Sequence, residues 1–346
     1  MRYSNTTIAA FGYELPPNVI TSDDLENRLE PVYRALRLQK GQLEAITGIR
    51  ERRLWDPGFP MARGAVAAGR KALSRAGIPP ADLGMLIYGG VCRDHLEPAT
   101  ACAVADGLGV SPETQIFDVS NACLGVLNGM VQAANAIELG QMDSAMVVSC
   151  ESAREIIDLT VERLNHSRDM AVLKKTIATL TGGSGAVAVI LTTPRRAPSG
   201  HRLIGGVARS AAEHHRLCVW GRENGFSSHG NSMLETDSAN VLKNGVTLGL
   251  ETFDAFRRDL ALSDDQPDKI ICHQVGATHQ RTILESIGVP AERDFTTFRY
   301  LGNIGTVSLP VTAAIAEERG ALKPGEVVGL LGIGSGLNCM MLGVEW

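Results

Sequence analysis

The run Asp118-Val119-Ser120-Asn121-Ala122-Cys123-Leu124-Gly125 carries an apolar strand into a helix, with a cysteine at the turn. A thiol placed there is a candidate nucleophile. Helix starts turn unpaired N–H groups and the positive dipole end outward, which lowers a thiol's pKa and offers an anion site. The competing reading is a small buried cysteine, the usual fate of a free thiol. Ile270-Ile271-Cys272-His273-Gln274 ends a second apolar strand with a histidine. Residues at the carboxyl ends of parallel strands line ligand crevices, and a neutral imidazole there can take a proton or donate to a developing oxyanion. A core histidine satisfied by backbone is the alternative. Asn303, between Gly302 and Ile304-Gly305, precedes another helix. Its amide can donate to a thioester carbonyl, or it is a plain N-cap, a position asparagine favours.

Two further segments follow strand ends. Arg93-Asp94-His95-Leu96-Glu97-Pro98 offers Glu97 as a general base or as a solvated loop charge. Leu331-Gly332-Ile333-Gly334-Ser335-Gly336-Leu337-Asn338 has the glycine spacing of a dinucleotide loop but not its context. The ten residues after Gly336 read as a strand, so no βαβ unit fits. Such a turn instead brings backbone N–H groups close to a ligand, as an oxyanion hole requires.

The elements that must position these residues alternate between short apolar runs and longer amphipathic ones. Strands are expected at Ile8–Tyr13, Met85–Gly90, Gln115–Val119, Ala145–Ser149, Ala186–Leu191, Leu203–Ser210, Lys269–Cys272, Val327–Leu331 and Leu337–Gly343. Helices are expected at Ala62–Ala76, Ala99–Leu108, Leu124–Leu139, Ile156–Leu164, Met170–Leu180, Ser238–Leu260, His279–Ile287 and Ser308–Glu318. The alternation predicts a largely parallel sheet covered on both faces.

Thr192–His201, rich in Pro and Gly, reads as a linker between two halves, 1–195 and 196–346. A repeat supports the division. Gly140 and Gly320 each end a helix that leads into an apolar strand, 180 residues apart. Gly183-Ser184-Gly185 and Gly334-Ser335-Gly336 each open a strand at a smaller offset, which places an insertion at Ser152–Thr181. The 180-residue offset maps Cys123 onto Asn303, so the two should face each other across a pseudo-twofold axis.

Composition sets the outer bounds. The 346 residues carry 33 basic and 38 acidic side chains, a net charge of −5, which argues against nucleic acid as a partner. No apolar run reaches the length of a membrane span or follows the N-terminus as a secretory signal would. The seven cysteines are dispersed, without a CxxC pair, which predicts reduced thiols in a cytoplasmic protein and neither a disulfide framework nor a zinc site.

Taken together and in this order, these segments resemble the thiolase-fold condensing enzymes of the ketoacyl-synthase III group, over nearly the whole chain. Thr47-Gly48-Ile49-Arg50-Glu51-Arg52-Arg53 is similar to the group's early signature. Asp118–Cys123, His273-Gln274 and Gly302-Asn303 are similar to the segments of its Cys-His-Asn triad. The resemblance implies an α/β, duplicated five-layer αβαβα fold, a homodimer, and no metal or redox cofactor. It also implies an oxyanion hole from the backbone of Cys123, Ser335 and Gly336. Within the group the chain most resembles the enzymes that join two fatty acyl-CoA molecules head to head in bacterial long-chain olefin synthesis. Arg52–Asp56, Arg93–Thr100, Ser120–Leu124 and Leu330–Cys339 carry that likeness. It implies that Glu97 removes an α-proton, reaching the active site across the dimer interface. A synthase acting on malonyl-ACP obtains its carbanion by losing CO₂ and needs no such base. That decarboxylative enzyme, a ketosynthase joining two carrier-bound chains, and a silent partner subunit are the alternatives, with acyl carrier protein or downstream enzymes as further partners. Two departures stand out. Gln42–Ile46 lack the Trp and Arg that the housekeeping synthase sets around the CoA adenine, and Thr306-Val307 replaces Pro-Ala. Ser152–Thr181 and Ser210–Thr236 are the expected pocket and partner surfaces.

Overall fold

The computed structural model describes residues 1–222 and 232–346. In chain order the first half comprises β1 (Thr7–Glu14), β2 (Asn18–Thr21), α1 (Ser22–Arg28), α2 (Glu30–Leu36), α3 (Gln42–Thr47), β3 (Glu51–Leu54) and α4 (Met61–Ala76). It continues with β4 (Met85–Gly89), α5 (Thr100–Leu108), β5 (Gln115–Val119), α6 (Gly125–Glu138), β6 (Ser144–Glu151), α7 (Arg154–Ser167), α8 (Met170–Thr176) and β7 (Gly185–Thr192). The second half comprises β8 (His201–Ser210), β9 (Cys218–Arg222), β10 (Ser232–Thr236), α9 (Ser238–Asp259), β11 (Lys269–Cys272) and α10 (Ala277–Ile287). It ends with α11 (Phe298–Leu301), α12 (Ser308–Glu318), β12 (Val327–Gly334) and β13 (Asn338–Glu345).

Strands order as β5-β4-β6-β7-β1 in the first half and β8-β13-β12-β11 in the second, joined by a two-residue ladder between β1 and β8. The sheet is mixed, not largely parallel. Only β5·β4, β4·β6 and β11·β12 run parallel; the remaining pairs are antiparallel. The reason is local. The helices between β6 and β7 do not cross the sheet as a βαβ unit would, and β12 and β13 form a hairpin. Where β5 would have its counterpart beside β11, there is a single bridge between Ile270 and Asp294.

Side-chain alternation sorts the layers. Leu86, Tyr88, Met146, Val148, Ala186, Ala188 and Ile190 face α4 and α5 in one core. Their neighbours Ile87, Val147, Val187, Val189 and Leu191 face α6 and α12 in another. From the far side, Leu330, Met340 and Leu342 enter that same central core, while Leu331, Cys339 and Met341 face α9 and α10. The layers are therefore αβαβα, with α6 and α12 sandwiched between the two halves of the sheet. A fourth cluster joins α1–α3 to α7 and extends to Trp220 and Leu234, roofing the side on which β6 and β12 end. Among the described residues no helix is long and apolar enough to cross a membrane.

The start of α6 meets the turn that leads into α12 on the repeat itself. The Thr306 hydroxyl accepts the Val126 N–H at 2.8 Å, joining residues 180 positions apart. This accounts for the threonine where the resemblance led us to expect proline: it satisfies a donor that opens α6 in the buried centre. Thr306→Ala is expected to cost about 1–3 kcal/mol by orphaning that N–H, read as a lower chemical-denaturation midpoint. Thr306→Ser should restore most of the loss.

Candidate active site

The Cys123 turn is built by a sharp reversal. Ala122 sits at φ +46°, in the left-handed region, and Leu124 N–H donates to the Asn121 carbonyl at 2.9 Å. The turn leaves Cys123 just ahead of α6. Helix and strand can approach this closely because Gly125 lies against Gly89; a Cβ on Gly125 would stand 2.9 Å from the Gly89 carbonyl carbon.

His273 follows β11, with its N–H donating to the Leu331 carbonyl at 3.0 Å. The buried Gln274 ties it to the asparagine turn. Its amide donates to the Cys272 carbonyl at 2.8 Å, and its oxygen accepts the Thr297 and Phe298 N–H groups that open α11. That helix leads straight to Gly302-Asn303. Asn303 is pinned against the end of the insertion: its N–H donates to Thr181, and its carbonyl accepts Gly183 N–H, both at 2.8 Å. Gly302, at φ +69°, permits this, since a Cβ would lie 2.6 Å from the Thr181 oxygen. The Asn303 side-chain oxygen accepts Gly305 N–H at 3.1 Å, which leaves its NH₂ for a ligand.

Cys123, His273 and Asn303 line one cavity of about 420 Å³, together with Gly334 and Ser335. Gly336 is not among the lining residues, so of the expected turn donors the structure brings Ser335 to the cavity. Glu97 is not there either; it lies exposed on its loop. The cavity continues between α7, the β9–β10 hairpin and α9, lined by Ile156, Ala178, Trp220, Leu234, Val241, Leu242, Val246 and Ile283. No lysine or arginine lines it among the described residues. Of the two expected pocket surfaces, Ser152–Thr181 lines it in part, as do Cys218, Trp220, Leu234 and Thr236. Residues 223–231 lie outside the described residues.

The electrostatics correct one expectation. Burial pushes the Cys123 thiol up to about 12, and nearby Cys218 and Glu151 add to the shift. Desolvation of the charged form, the largest cause, runs against the lowering expected at a helix start. Burial likewise holds the His273 imidazole down at about 4, with His279 contributing. At neutral pH the resting pair is therefore thiol and neutral imidazole. His273 Nδ1 has no partner among the described residues, so neither tautomer is fixed. Cys123 alkylation by iodoacetamide is accordingly expected to be slow at pH 7 and to rise about tenfold per pH unit toward pH 10. A rate already flat at pH 7, followed by mass spectrometry, would mean a preformed thiolate.

Residues 258–346 match the C-terminal family of 3-oxoacyl-[acyl-carrier-protein] synthase III, and residues 117–210 match the 3-oxoacyl-[acyl-carrier-protein] synthase III family. Over 100% of both sequences the chain is 49% identical to an acyl-CoA:acyl-CoA alkyltransferase of Shewanella oneidensis. The chain belongs to the synthase III family. It is also 38% identical to the acyl-CoA:acyl-CoA alkyltransferase of Xanthomonas campestris, again over 100% of both sequences. A cerulenin-bound crystal structure of Xanthomonas OleA superposes with TM-score 0.94 and 36% identity, covering 100% of this chain and 98% of that one. Another, with bound lauric acid and lauroyl-CoA, gives TM-score 0.93 and 37% identity over 99% and 100%. The fold is thus the duplicated thiolase arrangement of that family.

Glu151 is the site residue that sequence reasoning missed. It ends β6, lines the cavity and is 4% exposed. Its signal was present: it terminates an apolar strand, and His273 directly follows one.

Proposed function

We propose that this chain condenses two fatty acyl-CoA thioesters head to head, without decarboxylation, to a 2-alkyl-3-ketoacyl product for long-chain olefin synthesis. Full-length similarity at 49% identity to an acyl-CoA:acyl-CoA alkyltransferase carries the reading. The apolar cavity behind Cys123 suits an alkyl chain.

In this mechanism neutral His273 takes the Cys123 proton as sulfur attacks the first thioester carbonyl. The N–H groups of Cys123 and the Ser335 turn hold the oxyanion. His273 returns the proton to the departing CoA thiolate, leaving an acyl-cysteine. The carbonyl of a second acyl-CoA then accepts from His273 and the Asn303 NH₂. Glu97 removes its α-proton, the enolate carbon attacks the acyl-cysteine carbonyl, and the C–S bond breaks as the C–C bond forms. The departing Cys123 sulfur recovers a proton, balancing the one taken by Glu97. Product leaves as the CoA thioester or, after hydrolysis, as the β-keto acid. No cofactor enters.

Glu97 reaches its substrate from the partner protomer of a homodimer. Its exposure outside its own cavity supports this, as does the adjacent Leu96, whose apolar side chain is 71% exposed. The protein works in the cytoplasm, in keeping with seven free thiols. Purified protein supplied with a long-chain acyl-CoA and no malonyl donor is expected to release free CoA and a doubled-chain β-keto acid or its ketone. Acylated Cys123 without condensed product would shift the assignment to a malonyl-ACP synthase.

A further inference from the structure

The loop that carries Glu97 is not loose. Three carboxylates tie it down through backbone N–H groups. At its root, Glu151 accepts Val91 N–H at 2.8 Å and Cys92 N–H at 3.2 Å, one on each oxygen. Beside this bond the Tyr88 hydroxyl lies 2.7 Å from the carbonyl oxygens of both Cys92 and Cys150. In the middle, Asp94 accepts Met61 and Ala62 N–H groups at 2.6 and 2.9 Å, capping α4. At the far end, Asp118 accepts Thr100 and Ala101 N–H groups, both at 2.9 Å, with Arg93 3.8 Å away. Only His95–Pro98 stand free of such anchors, and they present Glu97.

Of the three anchors, Glu151 alone also lines the cavity. Its Cγ would lie 3.4 Å from a Cβ on Gly305, so the side chain packs against the asparagine turn as well. One buried carboxylate thus touches the arm's root, the wall of the nucleophile cavity and the turn that places Asn303. With both oxygens already accepting from the arm, it is held as a strut.

We propose that Glu151 is a positioning residue for the proton-abstraction step, fixing the arm that presents Glu97 to the neighbouring protomer. This rests on the assignment of Glu97 above. The chemistry it supports happens in the partner's cavity, not its own. An arm displaced by an ångström at its root misplaces a base at its tip, and misplacement of that size costs about 10²-fold in rate.

The test separates two steps. With lauroyl-CoA, Glu151→Gln is expected to leave the first-turnover burst of CoA undiminished, since loss of the charge beside Cys123 does not disfavour its thiolate, while condensation falls about 10²-fold. Gln turns an NH₂ toward a backbone N–H, whereas Glu151→Asp keeps two acceptor oxygens and should recover part of the turnover. Burst and turnover falling together, or neither falling, would overturn the proposal. Mixed dimers locate the effect. Glu151→Gln protomers paired with Cys123→Ala protomers should regain turnover, because the intact cavity then meets an intact arm. Paired with Glu97→Ala protomers they should not. The reverse pattern would place Glu151 in its own cavity and overturn the proposal. Failure of the Cys123→Ala and Glu97→Ala pair to complement would count against the crossed arm alone, and the burst-to-turnover split would still decide for or against Glu151.

Discussion

Cys123→Ala is expected to lower condensation by about 10⁴-fold or more and to remove the CoA burst with it. The size follows from the geometry. The thiol stands at a tightly turned strand end and lines an apolar cavity together with a neutral imidazole. A second thiol, Cys218, lines the same cavity and lies 3.4 Å from the Thr236 hydroxyl. Peptide mapping of the acylated parent therefore matters as much as the variant. The adduct should sit on Cys123, and an adduct on Cys218 would sink the assignment.

The second large effect belongs to Glu97. Glu97→Ala should leave the burst intact and lower condensation by about 10²–10⁴-fold, the range for a general base. Acylation needs no α-proton removed; carbon–carbon bond formation between unactivated thioesters does. Burst and turnover measured on one sample read the two steps apart. Equal loss in both would return Glu97 to the role of a loop charge. Mixing Glu97→Ala with Cys123→Ala protomers should restore about a quarter of parental turnover, since half the dimers are mixed and each holds one complete site. No restoration would mean that the base acts within its own chain.

Much of the site was legible because its residues stand at punctuation. Cys123, His273 and Asn303 each sit where a strand or short turn gives way to a helix, and glycines mark two of those junctions. The repeat was legible for the same reason: Val126 and Thr306 meet at the predicted offset. Strand direction was not. A helix between two strands suggests a crossover, but α7 and α8 return the chain on the same side, so β6 and β7 run antiparallel. Short elements escaped too. β2, β3 and α1–α3 are four to seven residues long and mostly polar, with little periodicity to read. The thiol's acidity could not be foreseen, because it is set by burial in the folded chain, with Cys218 and Glu151, both distant in sequence, adding to the shift. Glu97 was singled out through resemblance, and nothing about an exposed loop carboxylate would have done so otherwise.

The hydrogen bond between Val126 and Thr306 joins corresponding positions of the two halves. Cys123 and Asn303 stand 180 residues apart at corresponding places in the two halves, yet in the proposed mechanism one attacks and the other only donates. An ancestor assembled from two identical subunits would have carried the same residue at both places: two thiols without an amide to polarise the second carbonyl, or two amides without a nucleophile. In one chain, each half can carry a different residue at that place. The single catalytic centre is the broken symmetry of that doubling, and neither half alone contains it.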